Sequence, residues 1–349
     1  MTDISKLIRP NVMKLVPYSS ARDEYTGSGA LFLDANENPF NVPYNRYPDP
    51  HQVELKKKIG KLKKINDDQL FVGNGSDEAI DILFRIFCEP GLDNVVSIHP
   101  TYGMYRVCAD INNIELRKVP LKQDFGLNLP SLKAACDEHT KLMFLCSPNN
   151  PTSNSFDPEE MLQLVDQLEV IVVVDEAYID FSKRESLKNR VSTHPNLVVL
   201  QTFSKAWGLA GIRLGIAIGD PELIRFMDRV KYPYNVNMLT QKLAIEVLNE
   251  EEKVKQWIEA ILSERAVLER ELARFRFIEH IYPSDANFLL VKANEPKKIY
   301  NYLVERHIII RDRSNVALCE GCLRITVGTR EENLQLTEAL GQYQQPESK

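Results

Sequence analysis

Through its middle the chain alternates short, almost wholly apolar runs with longer stretches of helical period. That rhythm restricts the fold to an α/β domain on a mainly parallel sheet, because a strand buried on both faces reads as a continuous apolar run. The strand-like runs are 94–98, 142–146, 170–174, 197–200 and 214–218, and helical stretches such as 77–87 and 158–168 separate them. Asp157 stands as an N-cap before the second of these helices, with Pro158 in its first turn. In sheets of this kind ligands gather at the carboxyl ends of the strands, so the residues just after each run are the ones to inspect.

The 349 residues suffice for one large or two ordinary domains. From 250 to 275 the spacing predicts one long helix, with Val254, Trp257, Ile258, Ile261 and Leu268 on one face. A second set of strand-like runs follows at 287–291, 307–310 and 322–327, then a polar helix and a frayed tail over 344–349. The expected organisation is an N-terminal arm over 1–40, a large domain over 41–249 and a smaller α/β domain over 250–349.

Four loops carry candidate chemistry. The run 198–200 continues as Gln201-Thr202-Phe203-Ser204-Lys205 and, past a small-residue stretch, reaches Arg213. Thirty residues upstream, four apolar residues run into Asp175-Glu176-Ala177-Tyr178, and an Asp at the end of such a strand is buried at a cost unless it meets a cation. Gly73-Asn74-Gly75-Ser76-Asp77 leads from a strand into a helix, which aims backbone N–H groups and the positive end of the helix dipole at an anion. Finally, Asn149 and Asn150 lie between Pro148 and Pro151, which fix the turn after the 142–146 strand. Each loop has an ordinary structural explanation when taken alone: a solvated lysine, a capping aspartate, a glycine turn, a rigid proline turn.

Charge narrows the partners. Forty-three Lys+Arg against 49 Asp+Glu give a net charge of -6, the wrong sign for a protein that coats nucleic acid or anionic lipid, so any bound anion must be met by a few placed cations. The first fifteen residues mix Asp3, Lys6, Arg9 and Lys14 among apolar ones, unlike a signal or transit peptide, and no run is long and uncharged enough to cross a bilayer. A cytosolic address follows, with reduced thiols. Cys319 and Cys322 have the spacing of half a zinc site, but no second pair matches them, and no metal is expected.

Taken together, Gly75-Ser76, Tyr102, Asn150, Asp175, Tyr178, Ser204-Lys205 and Arg213 resemble the site of the fold-type I pyridoxal-phosphate enzymes, and the resemblance extends over nearly the whole chain. Asp34-Ala35-Asn36-Glu37-Asn38-Pro39, Arg46-Tyr47-Pro48, Pro100-Thr101-Tyr102-Gly103-Met104-Tyr105 and Leu323-Arg324-Ile325-Thr326-Val327-Gly328 narrow it to the class II aminotransferases, and within them to the histidinol-phosphate aminotransferase family. That resemblance implies a pyridoxal 5'-phosphate cofactor joined to Lys205 as an imine. It implies Asp175 at the pyridine nitrogen, Asn150 and Tyr178 at the phenolic oxygen and Tyr102 stacked on the ring. It seats the cofactor phosphate on Gly75, Ser76 and Asp77, with Ser204, Thr202 and Arg213 beside it. Tyr47 would reach that phosphate from the partner subunit of a homodimer. Arg324 and Arg311, assisted by Tyr18 and Asn150, would hold the substrates, histidinol phosphate and 2-oxoglutarate or glutamate.

The sequence departs from the family at one visible place. Relatives follow Asn-Pro-Thr with Gly, where this chain has Ser153, so the turn there is expected to carry strain or shift slightly. Two other enzymes of the same fold compete with this reading, a threonine-phosphate decarboxylase and an aromatic-amino-acid aminotransferase, because no local motif fixes which substrate bond is broken. A nicotinamide dehydrogenase is disfavoured by the lack of a Gly-x-Gly-x-x-Gly turn after a strand.

Overall fold

A computed structural model describes residues 3–19 and 31–344. Part of the expected arm, 20–30, and the tail after 344 lie outside the described residues. Seven strands form the larger sheet: β1 (Leu70–Asn74), β2 (Asn94–His99), β3 (Glu115–Pro120), β4 (Thr140–Cys146), β5 (Ile171–Asp175), β6 (Leu197–Thr202) and β7 (Leu214–Ile218). Their order is β1-β7-β6-β5-β4-β2-β3. All pairings among β2 to β6 are parallel, and β7 runs antiparallel to both β6 and β1. The carboxyl ends of β1, β4, β5 and β6 therefore open on one edge.

The all-apolar runs are explained by burial on both faces. Val172 and Val174 of β5 enter one core together with Val199 of β6, while Ile171 and Val173 enter the other with Val198 and Leu200. This is the two-residue alternation of a strand, with neither face left to water. The Gly75–Phe87 helix covers the second face with Ala79, Ile80, Leu83 and Phe84, and the N-terminal Ile4, Ile8 and Val12 pack into the same core. The Pro158–Gln167 helix starts as expected, with Asp157 accepting a bond from Glu159 N at 2.9 Å.

A second sheet, wholly antiparallel, has the order β10-β11-β9-β8, from β8 (Ile278–Ile281), β9 (Phe288–Ala293), β10 (Arg311–Asp312) and β11 (Cys322–Thr326). Leu289, Val291, Leu323 and Ile325 point into a core of their own, whereas Phe288, Leu290 and Cys322 point toward the larger sheet's core. The 22-residue helix Glu251–Leu272 precedes this sheet. It buries Val254 and Leu268, but Trp257 lies at its margin under Lys253 instead of in the core.

One expected strand is absent. Residues 307–310 leave the Pro296–Glu305 helix through His307 in the left-handed region (φ 60°), and Ile308 N bonds back to Leu303 O at 2.9 Å. This helix-terminating turn consumes the apolar run, Ile310 still reaches the core, and strand pairing begins only at Arg311.

Candidate active site

At the carboxyl edge of the larger sheet lies a cleft lined by Ser76, Asp77, Tyr102, Cys146, Asn150, Asp175, Ala177, Tyr178, Thr202, Ser204, Lys205 and Arg213. Loops separated by more than a hundred residues converge here because each follows a strand that ends at this edge.

Asp175, the last residue of β5, is buried. One carboxylate oxygen accepts from Tyr105 Oη at 2.8 Å and the other from Ala177 N at 3.1 Å. Burial pushes its pKa up to about 6, while these two donors and, more weakly, Lys205 pull the other way. Tyr105 is the residue that sequence reasoning overlooked. It stands in the first turn of the Met104–Ile111 helix, three residues after Tyr102, which precedes that helix. The two rings meet edge-on at 5.7 Å, and Tyr105 stacks on Phe144 at 4.6 Å.

Lys205 follows β6 and opens into the cleft, its amine 5.5 Å from the Tyr178 ring centroid. The cleft walls strip water from the amine, and Arg324 and Arg213 repel its proton, so its pKa falls below that of an ordinary lysine. Asp175 opposes this shift without cancelling it.

Glycine makes the anion cradle possible. Gly75 has φ +72°, and a Cβ there would sit 2.7 Å from Arg213 Nη2. A Cβ on Gly215 of β7 would collide with Ser76 N, so β7 leaves room for the turn that starts the Gly75–Phe87 helix. Gly75 N donates to Arg213 O at 2.8 Å, leaving the Ser76 and Asp77 amides of the first helical turn facing outward. Arg213, itself left-handed (φ 55°), reaches Asp77 Oδ2 at 3.3 Å and Ser204 Oγ at 3.4 Å. Asp77 also accepts from Tyr102 Oη at 3.1 Å, and Thr202 Oγ1 accepts from Ser204 N at 3.2 Å. Burial, and then Asp77, raise the Tyr102 phenol well above its ordinary pKa, which keeps it a neutral donor.

The opposite wall comes from the second sheet. Arg324 of β11 donates from Nη1 to Asn150 Oδ1 at 2.5 Å and lies over the Phe288 ring at 5.2 Å. Arg311 sits directly opposite Arg324 across the β10–β11 pair and is exposed. Its neighbour Asp312 accepts from Ser314 N and pairs with Lys297, so no local ion pair ties up Arg311. Tyr178 packs edge-on against Phe288 at 5.2 Å.

Two expected residues are not brought into the cleft within one chain. Tyr47 stacks on Tyr234 at 4.5 Å and lines a separate groove with Glu37 and Asn237. Tyr18 is exposed in another groove, with Pro50 and Arg229. Ser153 does occupy the strained position, with φ 65°, fully buried. Its Oγ lies 2.6 Å from Thr152 O and 3.1 Å from Pro283 O, contacts that the usual glycine cannot make.

A sequence model of the class I and II aminotransferases matches residues 35–340. This chain belongs to that family. The aminotransferase is 54% identical over 345 residues, 99% of its length, to the complete histidinol-phosphate aminotransferase of Bacteroides thetaiotaomicron. It is 49% identical to the enzyme of the same name from Christiangramia forsetii, over 97% of each chain. Among solved structures, the histidinol-phosphate aminotransferase from Clostridium acetobutylicum superposes with a TM-score of 0.79 over 86% of this chain and 91% of that one, at 22% identity, which speaks for the fold. The enzyme from Sinorhizobium meliloti in complex with pyridoxal-5'-phosphate gives 0.78 over 85% and 82%, at 25% identity.

The cofactor of this aminotransferase is pyridoxal 5'-phosphate, and the residues present fit it. A buried carboxylate with only hydrogen-bond donors around it suits a protonated ring nitrogen. An amine with a lowered pKa suits covalent attachment, and the glycine-bounded turn with Arg213 and Ser204 suits a phosphate. No group of three or more metal-ligating side chains occurs among the described residues, where Cys319 and Cys322 are buried free thiols.

Proposed function

We infer that the protein transfers the amino group of L-histidinol phosphate to 2-oxoglutarate, giving imidazole acetol phosphate and L-glutamate, a step of histidine biosynthesis. The observation that carries this reading is 46–54% identity to relatives called histidinol-phosphate aminotransferase, each aligned over 95% or more of this chain.

When bound, the cofactor supplies a sink for the electrons left on the substrate's α carbon after its proton departs. The chain's own residues do the rest. Lys205, whose pKa is lowered by burial and two nearby guanidiniums, would take the proton from that carbon and return it to the cofactor's aldehyde carbon, two bonds away. Asp175 would hold the proton on the ring nitrogen, and Tyr105 fixes the carboxylate that does so. Asn150 and Tyr178 would flank the phenolic oxygen, and Tyr102 would cover the ring face. The Ser76 and Asp77 amides, Thr202, Ser204 and Arg213 would hold the cofactor phosphate. Arg324 and Arg311 would take the anionic end of whichever substrate is present, and a planar guanidinium meets a carboxylate or a phosphate equally well.

The proposal extends to the assembly and the domains. We assign a homodimer in which the partner copy of Tyr47 completes the phosphate seat, with residues 1–40 as an arm that includes Tyr18 at the substrate, 41–249 as the cofactor domain and 250–349 as the small domain. Exposed Leu31, Leu33, Phe40, Val42 and Tyr44 next to Tyr47 support a covered surface there. Six free cysteines support a reducing, cytosolic setting. No described helix is long and apolar enough to cross a membrane.

The test is glutamate formation from 2-oxoglutarate with three amines in parallel: histidinol phosphate, threonine phosphate and phenylalanine. A kcat/KM for histidinol phosphate at least a hundredfold above the other two supports the reading. Carbon dioxide released from threonine phosphate, or a preference for phenylalanine, overturns it.

A further inference from the structure

Three side-chain donors among the described residues are buried without any hydrogen-bond partner: Arg313 Nε, Ser314 Oγ and Arg324 Nε. All three lie on or beside the β10–β11 pair. Buried donors are normally satisfied, because an unmet one forfeits about 1–3 kcal/mol, so a cluster of them marks a place where a bound acceptor is missing.

The register shows which way the arginines face. Arg311 is opposite Arg324, and two residues on Arg313 N donates to Cys322 O at 2.8 Å. Alternation along the strands puts Arg311, Arg313, Cys322 and Arg324 on one face. That face is the one turned to the cleft, since Cys322 and Phe288 join the larger sheet's core while Leu323 and Ile325 join the other. Asp312, on the opposite face, spends its charge on Lys297.

No carboxylate pairs with Arg311, Arg313 or Arg324 among the described residues, and the guanidiniums of Arg311 and Arg313 have no hydrogen-bond partner there. Burial and mutual repulsion lower the pKa of both Arg313 and Arg324, and each acts on the Tyr178 phenol that lines the cleft. Three clustered cations without an anion are a standing repulsion that only a ligand of matching charge relieves.

We propose that Arg313 is a third anion-holding element of the substrate site, which selects the dianionic phosphate monoester of the amine over the single carboxylate of the oxo-acid partner. The proposal rests on the substrate reading above for the identity of the amine, but not for the class of anion. A carboxylate has two oxygens for the forks of Arg324 and Arg311. A phosphate monoester has three and carries close to two charges at neutral pH, which leaves one oxygen and one charge for Arg313.

The experiment uses the cofactor-loaded enzyme, in which the cofactor's own phosphate seat is filled, and two variants, Arg313→Gln and Arg313→Lys. Inorganic phosphate is titrated calorimetrically into each, and KM is measured for histidinol phosphate and for glutamate. Arg313→Gln should weaken phosphate binding about tenfold and raise KM for histidinol phosphate at least tenfold more than KM for glutamate. Arg313→Lys should recover part of both effects, which a merely structural role would not produce. Equal phosphate affinity in wild type and Arg313→Gln, or an equal rise in both KM values, overturns the proposal. If wild type ignores histidinol phosphate, the substrate reading falls, while the phosphate titration still decides the role of Arg313.

Discussion

The floor and the wall of the cleft handle polar groups in opposite ways. On the floor, at the strand ends of the larger sheet, Asp175 has two donors, Asp77 is shared between Tyr102 and Arg213, and Glu176 accepts from Ser186, Leu187 N and Gln201. On the wall, three arginines share a single bond to Asn150, and two of them bury an unmet Nε. Among these groups only Gln201 Oε1 is buried without a partner, and carboxylates paired in this way suit a resident group that must be held in one pose through every turnover. An unsatisfied cationic wall suits a visitor, and an aminotransferase has two alternating visitors with different anionic ends.

Substitutions on the floor should therefore lower kcat whichever amine is offered, and substitutions on the wall should act mainly by raising KM. The largest effect is expected at Lys205. Lys205→Ala should lower kcat for both half-reactions by roughly three orders of magnitude or more, the range of a lost general acid–base, as read by single-turnover kinetics. A variant within tenfold of wild type would break the floor's role.

Arg324→Gln comes next, with kcat/KM down by about 10–100-fold for both substrates, equivalent to one or two charge-assisted bonds. The same change removes a cation that repels the Lys205 proton, so in the apoenzyme the Lys205 amine should titrate higher than in wild type, measured by the pH dependence of its acylation. A fall or no change would contradict the stated cause.

Asp175 gives a stability test with a definite sign. Its carboxyl titrates at about 6 in the folded chain against about 3.8 unfolded, so the folded apoenzyme binds the extra proton between those values. The contribution of Asp175 to stability is fully present below pH 4 and is lost as the pH rises through 6. Asp175→Asn should thus stabilise the apoenzyme by up to about 3 kcal/mol above pH 7 and by nothing below pH 4, while kcat drops. Urea titrations at pH 4 and 8 check this, and equal stability at pH 8 would mean the buried charge carries no penalty. The smallest effect is expected at Ser153→Gly, where relief of the left-handed strain offsets the lost Oγ contacts and stability should change by less than about 1 kcal/mol.

The contrast also explains what could be read from the sequence. Lys205, Asp175 and the Gly75 turn were legible because each is chemically out of place in its run: an amine, a carboxylate and paired glycines after apolar strands. Ser153 was legible as a side chain where the backbone wants none. Tyr105, Gly215 and Arg313 were not, since their roles exist only across strands or helices far apart in sequence, and each alone resembles an ordinary core or surface residue. The strand expected at 307–310 failed for a local reason, a left-handed His307 that no composition rule announces. Tyr18 and Tyr47 were named from resemblance and lie outside the cleft of a single chain.

The most direct measurement is one half-reaction. The cofactor-loaded enzyme is mixed with histidinol phosphate without any oxo acid, and the visible absorbance of the bound cofactor is followed as products are analysed. The account predicts loss of that band with one equivalent of imidazole acetol phosphate, and its return on adding 2-oxoglutarate. An unchanged band, or carbon dioxide in place of the ketone, would contradict it.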